Sequence, residues 1–109
     1  MQSRVFDVWV EEHGDTIAVA CRGEIDIAAS EGFGETLAGL MSRGRSITLD
    51  LREVTFIDSS GIRALVIFSR RCREQGVTFR TLPGPHVSRV SRVLGVGIAI
   101  GIADGDLEH

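Results

Sequence analysis

The 109-residue sequence contains no tyrosine, a single tryptophan, two prolines and two cysteines. Cys21 and Cys72 are too few and too far apart for a metal motif, so both are expected to be core thiols. No apolar run reaches the roughly 20 residues that a membrane-spanning helix needs. The first residues carry no apolar signal segment either. The expected location is therefore the cytoplasm, and no membrane partner is predicted.

The charged residues and the missing motifs exclude further classes of function. The formal net charge is −3, with acidic and basic residues mixed along the chain, so no basic face for nucleic acid is predicted. His13, His86 and His109 lack metal-ligand spacing, and no metal or other cofactor is expected. The sequence has no G-x-S-x-G elbow, P-loop lysine or G-x-G-x-x-G stretch, and it has no paired His/Cys nucleophile arrangement. We therefore expect a protein that is not an enzyme.

The first half of the chain predicts a hairpin followed by a helix. Residues 4–11 alternate in polarity, with Phe6, Val8 and Val10 facing inward, and a turn at 12–15 leads into a strand over 16–21. Arg22 and Gly23 interrupt this strand, which continues after a bulge. A helix is predicted over about residues 29–43. Its apolar stripe consists of Phe33, Leu37, Leu40 and Met41, and Gly44 is its stop signal.

The second half repeats the alternation of strand and helix. Ile47, Leu49 and Leu51 form one face of a strand. A helix then opens at Ser59-Ser60-Gly61 and ends at Gly76; its predicted core face is Ile62, Leu65, Val66, Ser69 and Cys72. Next come a strand over 77–82, a turn at Pro83-Gly84-Pro85, a short helix carrying Val87, Val90, Val93 and Leu94, and a last strand within 96–102.

Strand–helix–strand units with short connections pair their strands in parallel. The predicted fold is therefore α/β, with a mixed sheet that is antiparallel at the first hairpin and parallel elsewhere, and with helices packed against it. A chain of this length forms one domain, which we place at residues 1–106. Leu107-Glu108-His109 resembles the beginning of an expression tag.

The stretch Asp58-Ser59-Ser60-Gly61 stands where the central strand ends and a helix begins. Ser, Asp and Gly all suit a helix N-terminus, whose unpaired backbone N–H groups need acceptors, so capping alone would explain the serines. A hydroxyl at such a position is also one that can carry a phosphate near the positive end of the helix dipole. Periodicity does not decide between these two interpretations.

Asp58-Ser59-Ser60-Gly61-Ile62, following Asp50–Ile57, resembles the STAS family and, within it, the bacterial anti-sigma factor antagonists. A second match lies upstream at Gly23–Ala28. The resemblance implies a STAS fold, Ser59 as the phosphorylated residue, and an anti-sigma factor with serine kinase activity as the partner. A homodimer is a further possibility. A non-phosphorylated STAS scaffold in a transport or signalling complex is the alternative function. The chain differs from the family in carrying Arg63 where a glycine is common.

The remaining candidate residues surround this turn. The resemblance places Asp26 near Ser59, where it would orient the hydroxyl or engage the kinase, although helix capping explains Asp26 equally well. For Asp58 we favour capping. At 100° per residue, Arg63, Ile67 and Arg70 lie on the outer face of the serine helix. Ile67 is then either an ordinary exposed residue or the apolar anchor of a partner-binding surface rimmed by the arginines.

Overall fold

The computed structural model describes residues 6–43 and 45–102, which form two helical crossovers on a four-stranded sheet. Three predictions, the Gly44 stop signal, the tag remnant at 107–109 and the start of the first strand before Phe6, lie outside these residues. The elements, in chain order, are β1 (Phe6–His13), β2 (Thr16–Ile25), α1 (Ile27–Leu40), β3 (Ser46–Ile57), α2 (Ser59–Glu74), β4 (Thr78–Leu82), α3 (Gly84–Leu94) and a 3₁₀ turn (Ile98–Ile100).

The strands lie in the order β1-β2-β3-β4, so that β3 pairs on both sides. β1 and β2 are antiparallel and are joined by a tight turn in which Gly14 has a φ of 63°. β2–β3 and β3–β4 are parallel. The register of β2 against β3 shifts between Ala20 and Arg22 and again between Gly23 and Glu24. The predicted mixed α/β sheet and the predicted bulge are both confirmed.

The core lies between one face of the sheet and the two helices α1 and α2, which pack beside each other. Ile47, Leu49 and Leu51 of β3 are completely buried, as their alternation predicts. The two thiols are also core residues, and burial raises the pKa of Cys21 to about 12 and that of Cys72 to about 11. The predicted stripes of both helices are buried or packed against the core, and Phe68, which the sequence did not place there, is 3% exposed.

One inward position predicted for β1 is wrong. Phe6 and Val8 pack against the core, but Val10 is 39% exposed. The physical reason is that β1 is the edge strand of the sheet and its second half leads to the hairpin turn. Its partner Val19, one strand further in, is buried.

The predicted last strand within 96–102 is also wrong, because this segment forms a 3₁₀ turn. Gly101, with a φ of 90°, ends the turn, and its Cα lies so close to the Phe79 ring that a Cβ would be 2.9 Å from it. The segment is held to β4 through Thr81, whose N–H donates to the Gly101 carbonyl and whose hydroxyl donates to the Ile100 carbonyl. Its apolar residues are nevertheless core residues, since Ile100 and Ile102 are buried.

The helix boundaries differ from the predicted ones at two starts and at the end of α1, which is Leu40 and not residue 43. α1 begins at Ile27, two residues early, because Asp26 caps it. α3 begins at Gly84, inside the predicted turn, and packs along the part of β3 that extends beyond β4. Only the first half of its predicted stripe faces inward: Val87 is buried, whereas Val93 and Leu94 are 80% and 52% exposed.

Candidate functional site

The carboxyl ends of β2 and β3 lie side by side and each leads directly into a helix. Ile25 pairs with Ile57, and the Asp58 N–H donates to the Ile25 carbonyl over 3.2 Å. Asp26 and Asp58, the next residues along each chain segment, are the N-caps of α1 and α2 and have nearly the same extended backbone conformation. The structure therefore brings the Asp26 loop and the serine turn to one end of the sheet, as expected where parallel strands end.

Each of the two aspartates caps the helix that follows it. Oδ1 of Asp26 accepts from the N–H groups of Ala28 and Ala29 at 3.0 and 3.1 Å. Oδ1 of Asp58 accepts from the N–H groups of Ser60 and Gly61 at 2.9 and 3.2 Å, and from the Ser60 hydroxyl. The Ser60 hydroxyl, followed by these backbone donors, holds the pKa of Asp58 below its usual value.

The two adjacent serines have different surroundings. Ser60 is half-buried, and its hydroxyl donates to Asp58. Ser59 is exposed and is the first residue of α2, and its hydroxyl makes no hydrogen bond with any residue in the described part of the chain. Of the two serine oxygens, that of Ser59 is therefore the more accessible to another protein.

Gly61 allows the first turn of α2 to sit directly on the strand ends. A Cβ at this position would be 2.7 Å from a side-chain carbon of Ile57 and 2.8 Å from one of Ile25. Both distances are shorter than ordinary carbon contacts. Because Gly61 is itself buried two residues after Ser59, its small size fixes how far the serine turn stands from the sheet.

The predicted partner-binding residues Arg63, Ile67 and Arg70 are all exposed on α2. Ile67, which is 40% exposed, borders a groove of about 270 Å³ between α1 and α2. We call it the α1–α2 groove. Its α1 wall carries Glu31 and Glu35, which the sequence analysis did not single out. Their i, i+4 spacing was the available signal, because it places both carboxylates on one helix face.

Replacing Asp58 should test its capping role. Asp58→Ala is expected to lower the free energy of unfolding by about 1 kcal/mol, because the first N–H groups of α2 lose their acceptor. Asp58→Asn keeps an acceptor and should be closer to wild type. Since the native pKa of Asp58 is lowered, the contribution of its charge is present above the unfolded pKa of about 3.9 and is lost as the pH falls through the native value.

Urea unfolding followed by circular dichroism at pH 7 and at pH 3 measures these differences. If Asp58→Ala were as stable as wild type at pH 7, the cap would not contribute to stability. A wild-type advantage over Asp58→Asn that grew on acidification would contradict the direction of the pKa shift.

The described ranges 6–43 and 45–102 lack two other features. No group of three or more His, Cys, Asp or Glu side chains there is arranged to hold a metal ion. Among those same residues, no helix has the length and apolar character required to cross a membrane.

Sequence comparison identifies one family. A family model described as "Mlab, STAS domain" matches residues 8–102. No protein of curated function matches the chain.

Solved structures share the fold. An anti-sigma factor antagonist from Mycobacterium paratuberculosis is 20% identical, with 92% of this chain and 86% of that one covered and a TM-score of 0.75. The anti-sigma factor antagonist SpoIIAA in its unphosphorylated form is 22% identical, with coverage of 89% and 88% and a TM-score of 0.73. Murine Slc26a9, an anion transporter, is 19% identical; the match covers 98% of this chain but 22% of the transporter, with a TM-score of 0.71. At these identities the likeness establishes the fold.

Proposed function

Because the chain belongs to the STAS domain family, we propose that it is an anti-sigma factor antagonist. In its unphosphorylated form it binds an anti-sigma factor with serine kinase activity and so frees the sigma factor; phosphorylation of Ser59 by that kinase ends the binding. The observation that carries the proposal is the exposed Ser59 hydroxyl, unbonded within the described residues, at the start of α2. On this proposal the protein acts in the cytoplasm, by binding and without catalysis.

The local geometry supports Ser59 over Ser60 as the phosphoacceptor. A kinase needs an accessible oxygen whose lone pairs and proton are available to its active site. Ser60 meets both conditions less well than Ser59, because it is half-buried and its hydroxyl donates its proton to Asp58. Asp58 in turn is occupied by backbone donors, so its role in this proposal is to hold the turn and not to act as a base.

The test is phosphorylation of the purified protein. Incubation with the anti-sigma kinase that co-purifies with it and with Mg-ATP should add one phosphoryl group by intact mass. Ser59→Ala should abolish the addition, and Ser60→Ala, the matched neighbour, should keep it. Phosphate found on Ser60 alone would move the site by one residue. A protein that binds the kinase but accepts no phosphate would remove the switch from the proposal.

Partner binding is proposed to use the outer face of α2, with Ile67 as its apolar anchor and Arg63 and Arg70 as its rim. Ile67 stands at the border of the α1–α2 groove, whose lining also includes Arg71 of α2 and Glu31 and Glu35 of α1. A partner segment with one apolar side chain and mixed charges would fit such a surface. Apolar anchors of this kind carry much of the energy in protein interfaces.

Ile67→Asp is expected to weaken binding of the anti-sigma partner by about tenfold or more, because a charge replaces the anchor. The thermal midpoint should remain close to that of wild type, since Ile67 is already 40% exposed. Val93→Asp is the matched control: it places the same charge at an exposed apolar residue on α3. Isothermal titration and thermal melts of both variants check this. Equal binding by the two variants would rule out the α2 face, and an unfolded Ile67→Asp protein would mean that Ile67 belongs to the core.

A scaffold subunit of a transport or signalling complex is the second candidate. It is favoured by the family description, which names Mlab, and by the fold shared with a domain-sized part of an anion transporter. In this case Ser59 would not be phosphorylated and the α2 face would hold another subunit permanently. The two candidates differ in the captured partner: the antagonist binds an ATP-dependent serine kinase, and the scaffold does not.

A further inference from the structure

A second concave site lies away from the serine turn, between β3 and α3. It encloses about 550 Å³, and its floor includes the apolar side chains of Leu82 and Pro85. Its polar lining consists of Arg52 from β3 and of Ser88, Arg89 and Arg92 from α3. We call it the arginine cleft. None of the described residues that line it is acidic.

Ser88 is a buried polar group directed at this cleft. The residue is 5% exposed, and its hydroxyl has no hydrogen-bond partner among residues 6–43 and 45–102. A helix serine commonly donates to the carbonyl four residues earlier, but that bond is not formed here. Because Ser88 lines the cleft, the remaining place for a hydrogen-bond partner is inside it. The Ser88 oxygen is not one of the fully enclosed atoms without a partner, so it is accessible from the cleft and a bound ligand would replace water there.

The first turn of α3 opens into the same cleft. Unlike Asp26 and Asp58, the N-cap of α3 is Pro83, which makes no side-chain hydrogen bond to the helix. The start of the helix therefore retains backbone N–H donors without a side-chain acceptor. Gly84, with a φ of 68°, lies so close to β3 that a Cβ would be 2.5 Å from the Arg52 Cα. This contact is what brings the helix start and the β3 arginine into one cavity.

Arg52 is held in a fixed orientation by Asp50. Its Nε donates to Oδ1 of Asp50 at 3.0 Å and its Nη2 donates to Oδ2 at 2.8 Å. A guanidinium has five N–H donors, so others remain for a ligand. Holding the side chain in advance reduces the entropy lost on binding.

We propose that the arginine cleft binds a phosphate monoester attached to an apolar body. Guanidinium groups match the geometry of phosphate oxygens, and the donors here come from β3 on one side and α3 on the other, as a tetrahedral anion requires. Ser88 and the first turn of α3 add neutral donors. The apolar floor suits the organic part of such a ligand, and the volume is that of small-molecule sites, about 300–1,000 Å³.

The test is an amide NMR titration of the full chain with phenyl phosphate, with inorganic phosphate and benzoate as separate probes. We expect saturable shifts in α3 and β3, with phenyl phosphate binding more tightly than either other probe. Arg89→Ala should weaken phenyl phosphate binding by about tenfold and Ser88→Ala by about fivefold. Arg73→Ala, an exposed arginine of α2 outside the cleft, should leave it unchanged.

Absence of saturable shifts in the cleft would overturn the proposal, as would equal losses in Arg89→Ala and Arg73→Ala, which would indicate a general charge effect. Benzoate binding as tightly as phenyl phosphate would overturn the assignment to phosphate. Sedimentation with phosphatidylcholine vesicles containing phosphatidic acid distinguishes two sources of the same chemistry. If the protein sediments with these vesicles and Arg89→Ala abolishes this, the site is assigned to a lipid headgroup. If the protein binds phenyl phosphate but does not sediment with the vesicles, the site is assigned to a free phosphate ester.

Discussion

Phosphorylated at Ser59, the protein is expected to bind its anti-sigma partner about 5–150-fold more weakly than the unmodified protein, with no change of fold. The phosphate adds roughly −1.5 to −2 charges at neutral pH. It would stand beside the carboxylate of Asp58, whose lowered pKa keeps it ionised, and near the loop that holds Asp26. The negative charges of these carboxylates repel the phosphate.

The helix start offsets part of that repulsion, by about 0.3–1 kcal/mol at an exposed position. The phosphate is therefore tolerated within the domain, because Ser59 points to solvent and its modification displaces no internal hydrogen bond among the described residues. A partner surface fitted to a neutral hydroxyl has no such offset. Hence the cost falls on the complex and not on the fold.

Titration of the partner with wild type, phosphoprotein, Ser59→Asp and Ser59→Asn measures this effect. Ser59→Asp carries one charge and should show a smaller loss than the phosphate. Ser59→Asn introduces a side chain of the same size as aspartate but without its charge, and this variant should bind almost as wild type does. Circular dichroism of each protein is the control for folding. Equal affinity of wild type and phosphoprotein would contradict the switch, and a lost spectrum would mean that phosphorylation acts by unfolding.

Two glycine-to-alanine changes are expected to alter stability in opposite directions. Gly61→Ala should lower the free energy of unfolding by about 1–3 kcal/mol, since the new Cβ would overlap the side chains of Ile25 and Ile57. Gly39→Ala should raise it by up to about 1 kcal/mol, because Gly39 lies inside α1 with open space around its Cα, and alanine is the better helix former.

Urea unfolding followed by circular dichroism compares the two variants with wild type. Because the chemical change is the same in both, the difference between them isolates the contact of α2 with the strand ends. Gly61→Ala should also reduce partner binding if the position of the serine turn matters to docking. A stable Gly61→Ala protein would mean that α2 can shift outward without cost.

The pattern of the sequence predicts which residues lie on a strand face, but it does not predict how far the helices cover that face. Ile47, Leu49 and Leu51 are buried because they lie in the centre of the sheet. Val10 follows the same alternation yet is exposed, since its strand is at the edge. Within 96–102, the apolar content agrees with the burial of Ile100, but it does not determine the backbone conformation, which depends on contacts with β4.

For the candidate site, the helix cap could be predicted from the sequence, but the side chains that surround the serine helix in space could not. An aspartate before Ser-Ser-Gly predicts a cap, and Asp58 is one. Which serine the cap engages depends on side-chain geometry in the first turn, and this separates Ser59 from Ser60. The acidic wall of the α1–α2 groove arises from the packing of one helix on another, which no local pattern specifies.

The hydrogen bond from the Asp58 N–H to the Ile25 carbonyl has a consequence for local opening. Asp58 caps α2, but its amide is protected by the end of β2, 33 positions earlier in the chain. In native-state hydrogen exchange, the Asp58, Ser60 and Gly61 amides should therefore be exposed in one opening event, because all three bonds are lost when Asp58 leaves its place. A modification at Ser59 that loosens Asp58 would be recorded as faster exchange at these three amides, so the contact between α2 and the end of β2 would report the state of Ser59.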